Sequence, residues 1–142
     1  MIHVSYTYEL PYVHGSEWSQ RAQPVLRIEI HNSMDENLAV QVNAHLDSGT
    51  DITIFQGDLC PAIGLELMSG PEKRFQSAKS SGPPLVARLH RVRLAHDALG
   101  EREMDVAFAT EPLGRNLLGL DFFNFFKIGF QDRESRVLLE AE

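Results

Sequence analysis

Leu26, Ile28 and Ile30 alternate with Arg27, Glu29 and His31, and Val40, Val42, Ala44 and Leu46 alternate with Gln41, Asn43 and His45. A side-chain period of two places every second residue on one face, so each run is a strand with one buried and one wet face. The polar segment SMDEN (33–37) between them supplies turn chemistry, and the pair is expected to form a β-hairpin. Its second strand runs straight into Asp47-Ser48-Gly49, after which the β-branched run DITIF (51–55) resumes an extended course.

The same period dominates the rest of the chain. Residues 72–79 and 85–94 are expected to be two strands around a tight polar tip, KSSGPP (79–84). The second of these, LVARLHRVRL, departs from strict alternation, which predicts a bulge. DALG (97–100) is a turn, and Met104, Val106 and Phe108 alternate with Asp105, Ala107 and Ala109 in a further strand. QGDLCPAIGLEL (56–67) is the first helical candidate, with Asp58 as its cap and Gly64 as its stop. LDFFNFF (120–126) is the second. KIGFQD and RVLLE form a final hairpin around Arg133-Glu134-Ser135. Many short strands and one or two short helices make an all-β domain of closed-barrel type over 24–142. Residues 1–23, which hold Trp18 and all three tyrosines, form a less regular N-terminal extension with a strand within 2–10.

Composition narrows the function classes. With 142 residues the chain is long enough for one domain with a core of its own. A net charge of −7 and the lack of a Lys/Arg cluster argue against nucleic acid and against anionic membranes as partners. Cys60 is the only cysteine, so neither an intrachain disulfide nor a CxxC metal pair can form, and it is read as a core residue. The first residues show no basic stretch followed by an apolar one, as a signal peptide requires, and no run is long and apolar enough to span a bilayer; the expected compartment is the cytoplasm. Six histidines are scattered over strands without an HExxH pattern, and no GxSxG, GxGxxG or GxxxxGK[ST] string is present. No metal or cofactor is expected. The five phenylalanines between 122 and 130 are read as core.

Asp47-Ser48-Gly49 alone is a weak signal, because turns use these residues constantly, and by itself it reads as a solvated β-turn rather than a catalytic loop. A second element decides how to weigh it. Far along the chain comes Asn116-Leu117-Leu118-Gly119, followed at once by the second helical candidate. Leu46-Asp47-Ser48-Gly49-Thr50 and Leu117-Leu118-Gly119 together resemble the two motifs of the retropepsin-like aspartic proteases, the family of the retroviral proteases and their bacterial relatives. The resemblance covers residues 24–140. Gly114-Arg115-Asn116 is a rival placement of the second glycine, but two leucines precede Gly119 and the helix-then-strand run fits behind it.

What the resemblance implies is specific. In this family two carboxylates share one proton; the charged one activates a water and the protonated one polarises the peptide carbonyl. This sequence holds one D-S-G and no second D-[ST]-G. The resemblance therefore implies a homodimer, with Asp47 of each chain meeting on the two-fold axis. Ser48 would bond across the dimer, and Gly49 would let substrate approach the carboxylate. Thr50 and Asp51, together with Ser81, Gly82 and Pro83 of a flap tip, would contact a peptide or protein substrate. In retroviral members an arginine after the second glycine pairs with the acid at the position of Asp51; here Leu120 stands there. The flap tip holds one glycine and two prolines. These two departures motivate the alternative of a dimeric peptide-binding module with little turnover.

Overall fold

The computed structural model describes residues 8–11, 24–75, 84–131 and 136–141. The elements run β1 (Tyr8–Pro11), β2 (Val25–Asn32), β3 (Asp35–Leu46), β4 (Ile54–Phe55), α1 (Leu59–Ala62), a 3-10 turn (Leu67–Ser69), β5 (Glu72–Phe75), β6 (Leu85–His96), β7 (Gly100–Ala109), β8 (Asn116–Leu118), α2 (Leu120–Phe123), β9 (Phe126–Gln131) and β10 (Arg136–Ala141). The all-β expectation holds, although β3 and β6, at 12 residues each, are not short.

The larger sheet has the order β2-β3-β8-β4-β7-β6-β5, and a further pairing of β2 with β6 brings it back on itself. Six strands thus form a ring, with β5 attached outside it to β6. The two alternating runs form the expected hairpin, with Leu26 opposite Ala44 and Ile28 opposite Val42. Their inward side chains join Phe55, Val92, Leu94, Val106, Phe108 and Leu118 in the main core. Phe55 and Phe108 are both fully buried with ring centroids 5.8 Å apart, and each contributes about 1.5–3 kcal/mol by leaving water. Cys60 and Ile63, also fully buried, plug the core from α1.

β9 and β10 form the predicted hairpin, and β1 pairs with the other edge of β10. Val137 and Leu139 are fully buried in the main core, so this small sheet covers one side of the ring. Phe122 and Phe126 are buried, with centroids 4.9 Å apart, whereas Phe130 is 41% exposed. The phenylalanine cluster is therefore mostly core, with one member at a surface.

Four local expectations need correction. The bulge is not in β6, whose register with β7 runs unbroken from Ala87–Ala109 to His96–Gly100. Alternation there looked broken because apolar residues change face along the strand. Leu85, Ala87 and Leu89 lie on one face, Val92 and Leu94 on the other. The first face ends in Arg91 and Arg93, which approach Glu101, Glu103 and Asp105 on β7 at 3.7–3.8 Å. The register shift falls instead at His31/Asn32, where buried Asn32 donates to the Ile63 carbonyl at 2.9 Å and ties the hairpin to α1. The helix expected over 56–67 is one turn, and Asp58 sits at its N-cap position without a side-chain capping bond. Gly64, at φ +75°, does end it, in the left-handed conformation that favours glycine. The second helix stops at Phe123, because Phe126 already belongs to β9.

Candidate active site

β3 and β4 are not neighbours. β8 lies between them, parallel to β3 and antiparallel to β4. Residues 47–53 therefore do not close a hairpin; they step over the end of β8. A turn between adjacent strands needs only its own hydrogen bond, but a loop that crosses a strand must be held by that strand.

The chain that follows β8 does this residue by residue. The Asp47 amide donates to the Leu118 carbonyl at 2.9 Å. The Gly119 amide donates to the Thr53 hydroxyl at 3.1 Å. The Leu120 and Asp121 amides donate to the carbonyls of Thr50 and Asp51, at 2.9 and 3.1 Å. The Asp121 carboxylate then accepts the Thr53 amide at 3.0 Å and the Thr53 hydroxyl at 2.8 Å. Thr53 is fully buried, so its hydroxyl needs both partners to offset its loss of water.

Gly119 is the glycine that this crossing requires. A Cβ built on it would lie 2.7 Å from the Ile52 carbonyl carbon and 2.8 Å from the Thr50 carbonyl oxygen. A Cβ on Gly114 would meet nothing within 4 Å. The second motif is thus centred on Gly119.

At the start of the loop, the Gly49 amide donates to Asp47 Oδ1 at 2.8 Å and aims the carboxylate. A Cβ at Gly49 would sit 3.0 Å from that same oxygen, so a side chain there would crowd it. Asp47 is half-buried, while Ser48, Gly49 and Asp51 are exposed. Thr50 turns its hydroxyl inward and donates to the Ile52 carbonyl at 3.1 Å. Asp51 meets α2 through its carbonyl oxygen. Asp47 to Asp51 are therefore brought together on one loop. Ser81, Gly82 and Pro83 lie outside the described residues; the hairpin that would carry them is present up to the Phe75–Leu85 pair.

Beside the loop runs a second apolar face. His45, Leu117, Ile54, Ala107 and Leu89 are successive cross-strand partners and so share one side of the sheet. This side carries the small cluster of Ile54, Ala87, Ala107 and Ala109, flanked by Ile52, Phe75, Leu85, Leu89 and Leu113. All four residues of this cluster are buried. His45 is 8% exposed, and burial pushes its imidazole below the ordinary value. The Arg115 cation adds to that shift and Asp47 opposes it, which places His45 within electrostatic reach of both.

Sequence reasoning missed Thr53, Asp121 and His45. The signals were a hydroxyl inside the apolar run 52–55, an acid two residues after the second glycine, and an imidazole two residues before Asp47.

A ring of strands with an Asp-Ser-Gly loop crossing over an internal strand defines the retropepsin-like fold, and solved structures of that class match it. A retropepsin-like aspartic protease from Rickettsia conorii superposes with a TM-score of 0.66 at 14% identity, over 98% of each chain. The EIAV protease in complex with an inhibitor superposes with a TM-score of 0.50 at 15% identity, over 72% of this chain and 86% of its own. No protein-family model and no curated protein matches the sequence.

Proposed function

We propose that this protein is an aspartic endopeptidase that acts as a homodimer. The observation that carries the reading is the Asp47 loop: a half-buried carboxylate is held at the start of a loop that crosses β8 and is fastened along its length to the chain that follows that strand. The chain supplies one such carboxylate, and the chemistry needs two that share a proton. Asp47 of each protomer would form the pair, with Ser48 bonding across the axis. An extended peptide would lie beside the Asp47 loop, beneath a flap built from the β5–β6 hairpin. Thr50, Asp51, Ser81, Gly82 and Pro83 are the proposed substrate contacts. No metal or cofactor is part of this mechanism.

The dimer reading has support of its own. Leu120 is 38% exposed one residue after Gly119, and Phe130 is 41% exposed with its ring 6.0 Å from that of Phe123. Leu120 and Phe123 lie three apart on α2 and share a face. An apolar strip thus continues from the Asp47 loop, as a subunit contact would. Among the described residues, no helix is long and apolar enough to cross a membrane; a cytoplasmic location is part of the proposal.

The test compares wild type with Asp47→Asn on a mixed peptide library from pH 4 to 7, with sedimentation of the same samples. Cleavage by a wild-type dimer, lost in a variant that still dimerises, is the expected result, with a bell-shaped pH profile. A folded dimer that cuts nothing would favour the peptide-binding alternative. A folded monomer would remove the dyad.

A further inference from the structure

The arginine that resemblance leads one to expect after the second glycine is replaced by Leu120, yet the loop is not left unbraced. Four consecutive residues, Leu118 to Asp121, hold both of its ends. Leu118 takes the Asp47 amide at the entry to the loop, and Asp121 takes the amide and hydroxyl of Thr53 at its exit. Between them, Leu120 and Asp121 donate to Thr50 and Asp51.

Resting on the protease reading, we infer that Asp121 and Thr53 are the positioning residues of the catalytic loop. The Gly119 amide, the Thr53 hydroxyl and the Asp121 carboxylate form a relay that keeps the Asp47 carboxylates in register across the dimer. Two features distinguish this relay from ordinary packing. First, the Thr53 hydroxyl both accepts, from Gly119, and donates, to Asp121, in a fully buried position. Valine, with the same shape, would leave a buried N–H and a carboxylate oxygen each short of a partner. Second, the Asp121 carboxylate also accepts from the Phe122 amide at 2.7 Å, which fixes it to the first turn of α2. The carboxylate therefore cannot follow the loop if the loop shifts; the loop must follow α2. A bond to a charged acceptor is stronger than one between neutral groups, so this relay can replace an ion pair without an arginine. It also removes one reason for reading the protein as inactive.

The experiment uses the full chain with Thr53→Val, Thr53→Ser and Asp121→Asn. Serine restores the hydroxyl, and asparagine keeps the oxygen that makes the short contacts. Amide hydrogen exchange is followed at Asp47, Leu120 and Asp121, and at Leu26, Ile28 and Val42 in the β2–β3 hairpin. Thr53→Val should speed exchange at the first three about tenfold or more, as expected when buried polar groups lose their partners, while the hairpin amides stay as in wild type. On a cleaved peptide, kcat should fall about tenfold to a hundredfold with KM nearly unchanged, because a misplaced reacting group costs turnover more than binding. Thr53→Ser should recover most of both, and Asp121→Asn, which keeps the oxygen but loses the charge, should fall between wild type and Thr53→Val. Wild-type exchange at the loop in Thr53→Val, an equal rise over the whole ring, or a Thr53→Ser variant as poor as Thr53→Val would overturn the inference. If the wild-type protein cleaves nothing, the protease reading fails, and the exchange data still decide whether the relay positions the loop.

Discussion

Gly119 and Gly114 offer a direct test of the crossing loop, because the two substitutions differ only in what a single Cβ would meet. In Gly119→Ala the new atom would lie 2.7–2.8 Å from the backbone of Ile52 and Thr50. The carbon–carbon distance is about 1 Å inside ordinary contact. The atoms it meets are backbone, so no side-chain rotation can relieve them. Overpacking of this kind costs about 1–3 kcal/mol. Separating the two segments also stretches the bonds from the Leu120 amide to Thr50 and from the Gly119 amide to Thr53, each worth about 1 kcal/mol. The expected loss is about 3–5 kcal/mol, or about 10–15 °C in Tm for a chain of this length. Gly114→Ala meets no atom, and Gly114 is not among the glycines with positive φ. It should be neutral or stabilising by up to about 1 kcal/mol, through the reduced freedom of the unfolded chain. Urea unfolding of the two variants against wild type measures both values. Equal effects, or a Gly119→Ala loss below about 1 kcal/mol, would refute the placement of the loop over β8.

Two further outcomes follow from the same geometry. Burial lowers the folded-state value of His45 below 6.5, with Arg115 adding to the shift and Asp47 opposing it; His96 is lowered by burial too, against Asp97. As pH falls below 6.5 the unfolded chain takes up protons first, so stability present above that pH is lost as pH falls through the folded values. The urea midpoint should therefore drop between pH 7.5 and 5, and His45→Gln should flatten part of that slope; an identical slope in the variant would argue against it. On the proposed dimer, Leu120→Glu and Phe130→Glu should shift the sedimentation profile toward monomer with unchanged far-ultraviolet circular dichroism, and an unaffected profile would argue against a subunit contact at these residues.

Much of the architecture was legible because strand periodicity is a local property. The β2–β3 hairpin, the Met104–Phe108 strand and the C-terminal hairpin each needed only neighbouring residues to be recognised. The misplaced bulge shows where local reading fails. Along β6 the apolar residues serve two different cores, one on each face, and only the positions of β2 and β5 reveal which core takes which end. The helices were overextended for a similar reason: Phe126 has the composition of a helix continuation, yet β10 captures it as a strand.

For the site, the sequence by itself marked the candidate residues: one acid in an Asp-Ser-Gly setting, a small residue at 49, and a second glycine behind two leucines. It also limited each chain to one such acid, since a count needs no coordinates. Only the tertiary structure showed why position 119, and not 114, has to be glycine, because the difference lies in backbone brought close from residues 50 to 52. It alone paired Thr53 with Asp121 across 68 positions of sequence. A hydrogen bond at that separation leaves no periodic trace in the chain. It exists because β8 enters between β3 and β4, and the loop above must be fastened to whatever follows.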